Sequence, residues 1–335
     1  MKPAVSNVRI ASWIIAGITL FLVVVLHLLP ALIAGLLVYE LVHLLAPKLS
    51  RVLRGYAAKQ AALLLLSVIV IGAIVFIVLA LLALFRGEGG GMVAVAKQLA
   101  VIADEMRSSM PAWTLQYLPE NADAWMTSIT RWLRDHVRDL QNIGTMASRA
   151  FAHIIIGLVI GAILAMRVEM RQVDLGPLGL ELVARAQRLA ESFRRIVFAQ
   201  VRISAINTTF TAIYLAIVLP AAGIELPLLK TMIAVTFIAG LLPVIGNLIS
   251  NTVIVAVSLT HSFQVAMFSL VYLVVIHKLE YFLNARIVGG RISARAWELL
   301  IAMIAMEAAF GLGGLVAAPI YYAYLKDELR TAKMI

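Results

Sequence analysis

"AALLLLSVIVIGAIVFIVLALLALF", residues 61–85, carries no charged side chain. As a helix at ~1.5 Å per residue it rises about 37 Å, more than the ~30 Å of hydrocarbon that a membrane span must cross. The stretch is therefore a transmembrane helix, and the remainder of the chain agrees. Hydrophobic residues make up 62% of the 335 and charged residues 14%, against roughly 45–50% and 25% in soluble domains. The expected fold class is all-α, a polytopic integral membrane protein whose first partner is the lipid bilayer.

Toward the N-terminus, residues 10–29 and 31–46 read as a helical hairpin split at Pro30. The first arm is too long for a cleaved leader and is expected to stay as the first span. Glu40 and His43, near the end of the second arm, read as interfacial groups. "PKLSRVLRGYAAKQ" (47–60) holds Lys48, Arg51, Arg54 and Lys59 and no acid, so the positive-inside rule places it and the N-terminus in the cytoplasm. The formal net charge of +10 sits in such loops, where it orients the chain and meets anionic lipid, and no nucleic-acid partner is expected. Absence of Cys excludes disulfides and thiolate metal sites. Neither a metal nor a cofactor is expected. No H-E-x-x-H, G-x-S-x-G or Walker A pattern occurs, so the chain is not expected to be an enzyme.

Beyond residue 85 comes one sizeable extramembrane region, 86–150, with amphipathic stretches at 92–106 and 122–140. Three segments follow from this: 1–85 with three spans, 86–150 outside the membrane, and 151–335 as a second membrane region. Residues 151–166 return the chain. "ELVARAQRLAESFRRIVFAQVR" (181–202) is an amphipathic helix with Glu181, Arg185, Arg188, Ser192, Arg195 and Arg202 on one face. Such a helix is expected at headgroup level. A gating lever is the sharper reading, and the sequence does not choose between the two. Residues 203–219 then cross outward.

The later apolar runs have awkward lengths. Residues 228–259 would measure about 48 Å as a straight helix, and "GLLPVIGN" (240–247) interrupts them at Pro243 and Gly246. Residues 265–283 form an ordinary span. Residues 298–325 are again too long and are interrupted by "FGLGG" (310–314) and Pro319. Broken backbone at membrane depth is tolerated where it is buried in protein or lines a cavity, and it points to a transport site. Counting 228–259 as one crossing plus a re-entrant piece gives about eight transmembrane helices and a cytoplasmic C-terminus. That count also puts Arg286, Arg291 and Arg295 outside, against the positive-inside rule.

Candidate transport residues fall in these same segments. In "VIHKLEYFLNAR" (275–286), Glu280 shares a helix face with His277 and Asn284. A mid-membrane carboxylate must be paired, hydrated or protonated, so Glu280 beside His277 suits a proton relay. The competing reading is a helix end marked by Lys278 and Arg286. Glu307 lies ten residues into an apolar run and is expected to face the protein interior or a partner subunit. Asn247 and Asn251 stand one turn apart beyond the break. They suit either coordination of a cation or hydroxylated solute, or capping of the new helix. Gly311, Gly313 and Gly314 suit close helix packing or a hinge.

"GLLPVIGNLISN" (240–251), "HKLEYFLNARIVGG" (277–290), "EAAFGLGGLVAAPIYYAYLKDEL" (307–329) and "FRRIVFAQVRISAINTTF" (193–210) together resemble the AI-2E transporter family, also known as PerM-like or UPF0118 proteins. The resemblance implies export of small molecules, with the autoinducer-2 signal as namesake, while some relatives are assigned to sodium/proton antiport. It also implies a homo-oligomer, with a pentamer as one option. Many members carry Asn-Pro where Asn284-Ala285 stands, and a proline where Ala294 stands, so here the helix is expected to run past Asn284. Three modes of action stay open: a solute exporter coupled to protons, a monovalent cation/proton antiporter, and an uncoupled channel-like conduit.

Overall fold

The computed structural model describes residues 7–51, 53, 57–68, 127, 131, 134–166, 175–241, 245–259, 261–288 and 295–335. Most of 86–150 lies outside the described residues, including the whole amphipathic stretch 92–106 and about half of 122–140, as does Pro243. Among the described residues the regular structure is helical, and five helices are long and apolar enough to cross a membrane. Two compact units divide the chain. Unit 1 takes Met1–Ala73, Ile143–Val197 and Gly289–Ile335, and unit 2 takes Ile74–Asn142 and Phe198–Val288.

In unit 1, α1 (Asn7–Val25) turns back into α2 (Leu29–Leu49). The turn is made by His27 at φ 56°, with the Leu28 N–H donating to the Val23 carbonyl at 2.8 Å. Pro30 does not split the hairpin. It sits in the first turn of α2, where a missing N–H costs nothing. Then come α3 (Ala57–Val68) and α4 (Val137–Met166).

Helices α2 and α4 run parallel and very close. The Gly35 Cβ position lies 3.0 Å from the Gly157 carbonyl oxygen, and Cβ atoms on Gly157 and Gly161 would land on the backbone of Ala31 and Gly35. Small residues four apart on each helix, 31/35 against 157/161, let the backbones touch, which is how membrane helices associate without a hydrophobic driving force. Val38, Val42, Ala62, Leu66 and Ala165 continue this packing as a buried cluster.

The last helix, α9 (Ala296–Thr331), is two arms. Gly311 has φ 63° and ψ −149°, a region essentially reserved for glycine. Lys326 pairs with Glu298, 28 positions earlier; a straight helix would hold them about 42 Å apart. The carbonyl of Met306 also stands where a Cβ on Gly314 would go. The chain therefore doubles back at Gly311, giving arms 296–310 and 312–331, and it runs through Pro319 without leaving the helix. The apparent 35-residue span Trp297–Thr331 is this hairpin.

Doubling back corrects the topology count. Arg295 begins the first arm, with its N–H bonded to Glu298 at 2.9 Å. Arg295 therefore lies at the same end of unit 1 as Lys326 and the basic tail, and not opposite it. Arg291 and the side chain of Arg286 lie outside the described residues.

Helix α5 (Pro177–Ile213) continues through a π turn, Tyr214–Val218, into Leu219–Ala221. Pro220 explains the π turn: it has no N–H to give Ala216 and its ring crowds that carbonyl, so the preceding turn widens. The amphipathic segment and the following span are thus one helix. In unit 2, α6 (Leu229–Gly240), α7 (Ile245–Leu259) and α8 (Phe263–Val288) complete the fold. At 12 and 15 residues, α6 and α7 rise only about 18 and 22 Å, so neither crosses alone. They fold back on each other: Met232 and Ile254 share one buried cluster, and a Cβ on Gly246 would strike the Ala239 carbonyl. Helix α8 does run past Asn284, as expected.

Candidate functional site

A polar seam runs down the inner face of α5 in unit 2. Gln200, Ser204, Asn207, Thr211 and Tyr214 recur at spacings of four and three, which keep residues on one side of a helix. Ser204, Asn207, Thr211 and Tyr214 are all buried. Each polar group inside an apolar span needs a partner, and most have one.

Near the α6/α7 break, Gln200 Nε2 donates to the Gly240 carbonyl at 2.7 Å and Ser204 Oγ to the Phe237 carbonyl at 2.6 Å. These are carbonyls of the last turn of α6, which have no partner within their own helix. One turn further, Asn207 Nδ2 donates to Asn247 Oδ1 at 3.0 Å, and Asn247 Nδ2 lies 3.1 Å from His277 Nδ1. A chain of three side chains thus joins α5, α7 and α8, with Asn207 buried, Asn247 half-buried and His277 exposed. Below it, the Tyr214 hydroxyl is 2.9 Å from Ser269 Oγ, which is 2.7 Å from Ser258 Oγ. Tyr214 stacks on Tyr272 with ring centroids 4.1 Å apart, and the Tyr272 hydroxyl donates to the Phe210 carbonyl at 3.1 Å. Between the two chains, the buried hydroxyls of Thr208 and Thr211 have no hydrogen-bond partner. A buried group left in that state costs roughly 1–3 kcal/mol.

Several expected site residues take definite positions. Asn247, in the first turn of α7, and His277 are brought together. Gly246 is required by close approach to α6. Asn251 follows one turn along α7, half-buried. Glu280 and Asn284 lie on α8, but their side chains, like the rest of 279–288, are outside the described residues.

In unit 1, Glu307 is exposed on the first arm of α9, among the exposed Ile301, Ile304 and Leu312. Gly311 is the bend, Gly314 permits close return of the second arm, and Gly313 faces open space. Glu40 is buried, 3.9 Å from Arg194. His43 Nδ1 lies 2.7 Å from the Tyr39 carbonyl.

The polar face of the amphipathic segment is largely covered by protein. Arg185 is 2% exposed and Ser192 fully buried. The Arg185 guanidinium bonds Ser12 Oγ at 2.9 Å, Glu181 at 2.9 Å and Glu328, and lies 5.2 Å from the Trp13 ring centre. Glu328 also accepts from Arg188 at 2.8 Å and from Trp13 Nε1 at 3.1 Å. Next to it, Asp327 takes Arg195 and, at 3.1 Å, Ser192. Three consecutive charges, Lys326, Asp327 and Glu328, tie the second arm of α9 to its own first arm, to α5 and to α1. The apolar side of the same helix packs too, with Phe193 and Ile196 in a cluster with Ile320 and Ala323. Arg202 remains exposed.

Short helical hairpins and a polar seam beside long apolar helices give the build of a polytopic membrane protein. The family model for the AI-2E family transporter matches residues 10–333. The chain therefore belongs to the AI-2E transporter family, and transport across a membrane is its general role. No curated protein and no solved structure gave a match.

Proposed function

We propose that the protein is an inner-membrane exporter of small organic solutes, with both termini in the cytoplasm and its solute path along the polar seam of unit 2. The observation that supports this most is the Asn207–Asn247–His277 chain, placed where the backbone breaks between α6 and α7. Neutral amide and imidazole groups exchange hydrogen bonds with a hydroxylated or carbonyl-bearing solute at little net cost. His277 takes the role of proton carrier, with Glu280 one turn further along α8. Glu307, a carboxylate among apolar side chains, would cost roughly 2.5–3.5 kcal/mol facing lipid. Covering it with a neighbouring copy would remove that cost, and on this ground the protein assembles as a homo-oligomer.

Flux through the full chain in proteoliposomes tests the reading. Asn247→Leu and His277→Leu are expected to lower uptake of a labelled small polar solute about tenfold, a loss of about 1.4 kcal/mol in barrier terms. Glu280→Gln is expected to flatten its pH dependence. Wild-type flux in all three would end the proposal. Imposing a pH gradient separates the coupled exporter, which responds, from an uncoupled conduit, which does not.

A further inference from the structure

Thr208 and Thr211 behave unlike other helical threonines of this chain. Thr19, Thr209, Thr236, Thr252 and Thr331 each donate to the carbonyl four residues back, at 2.8 Å. That bond is always within reach of a helical threonine. Thr208 and Thr211 do not make it, although both hydroxyls are buried and Thr211 is 1% exposed. Their hydroxyls are left without a partner on the seam side of α5, between the two chains.

Residues three and four apart on a helix, as Thr208 and Asn207 are from Thr211, stand about 5–6 Å apart at Cβ, roughly the span of two hydrogen bonds meeting at a single oxygen. Asn207 spends its Nδ2 on Asn247, which leaves its Oδ1 as an acceptor on the same turn. Thr208, Thr211 and Asn207 therefore supply the two to four polar contacts that a buried water needs. Immediately beyond lies Tyr214, the first residue of the π turn, whose hydroxyl leads to Ser269 and Ser258.

We propose that Thr211, with Thr208 and Asn207, holds one ordered water molecule that joins the His277–Asn247–Asn207 chain to the Tyr214–Ser269–Ser258 chain. Water both donates and accepts, as do the Thr and Tyr hydroxyls. The two separate chains become one continuous hydrogen-bonded strip that crosses the interior of unit 2. The inference extends the path assigned above and rests on it only for its role in transport; the water site itself stands on the geometry of α5.

High-resolution density for the full chain in lipid nanodiscs decides the question without reference to flux. The wild type and Thr211→Ser are expected to show a peak within about 2.6–3.2 Å of the residue-211 hydroxyl and of Asn207 Oδ1. Thr211→Val, which keeps the shape and removes the hydroxyl, is expected to lose it. A wild-type map with the Thr211 hydroxyl seated on the Asn207 main-chain carbonyl, and no peak beside it, would overturn the site. So would a peak that grows when sodium is exchanged for rubidium, since that marks a cation. Should Thr211→Val fail to fold, the wild-type and Thr211→Ser maps still decide.

Discussion

Both units bury polar groups among apolar helices, but they bury opposite kinds. Unit 1 buries charge: Arg185 and Glu328, at 2% and 6% side-chain exposure, with Arg188, Arg195 and Asp327 around them. Unit 2 buries neutral groups, the Asn207 amide and the hydroxyls of Ser204, Thr211, Ser258 and Ser269, with Asn247 half-buried and His277 exposed at the end of its chain. A buried charge without its partner is intolerable, so a charged cluster holds its elements in one arrangement. A neutral hydrogen bond exchanged for another costs little. The difference separates a clamp, which fixes α1, α5 and both arms of α9, from a seam that can trade partners as a solute passes.

The comparison breaks most easily at Glu328. Glu328→Gln is expected to cost up to about 3–5 kcal/mol, because the buried Arg185 keeps only the half-buried Glu181 and Arg188 loses its partner. Thermal unfolding in detergent would show it, and adding Arg185→Met should recover much of the loss. Gly157→Leu comes next, at about 1–3 kcal/mol, since its side chain meets the Ala31 backbone and the helices must separate. Gly311→Ala, forced to φ 63°, should cost a similar or slightly smaller 1–2 kcal/mol or so. Asp327→Asn should cost about 1 kcal/mol or less, because Arg195 is 34% exposed and water screens the pair. At the bottom of the scale, Asn247→Leu should change stability by only about 1 kcal/mol while transport collapses. A seam variant that unfolds the protein as Glu328→Gln does would erase the distinction between the units.

Much of this fold is legible in local sequence. The uncharged run at 61–85 sets the class, and the awkward lengths of 228–259 and 298–325 announce breaks because no straight helix of that size fits a bilayer. Of the two interruptions in the last segment, only Gly311 bends the chain, since a glycine can enter a conformation closed to other residues. Pro319 sits where its neighbours hold the helix straight.

What stays hidden depends on contacts between distant residues. Periodicity shows that Arg185, Arg188, Ser192 and Arg195 share a face. It is silent on whether that face meets water or Asp327 and Glu328, more than 130 positions away. The pairing of Glu298 with Lys326 is hidden for the same reason, and with it the side on which Arg295 lies. Two signals were available in short range. The motif G-x-x-x-G at 157–161 marks a close helix crossing. The 4-3-4-3 recurrence of polar residues from Gln200 to Tyr214 marks the seam, but a boundary drawn between Arg202 and Ile203 cuts across it.

The central claim is that the seam of α5 is a water-filled route during transport. The chain has no cysteine, so single Cys residues at 204, 207 and 211, and at the outward-facing 205, 209 and 213, give a direct reading with a membrane-impermeant thiol reagent in proteoliposomes. Labelling at 204, 207 and 211 during turnover, slowed by transported solute, with 205, 209 and 213 silent in lipid, is the predicted result. A silent seam under conditions of measured flux would contradict it.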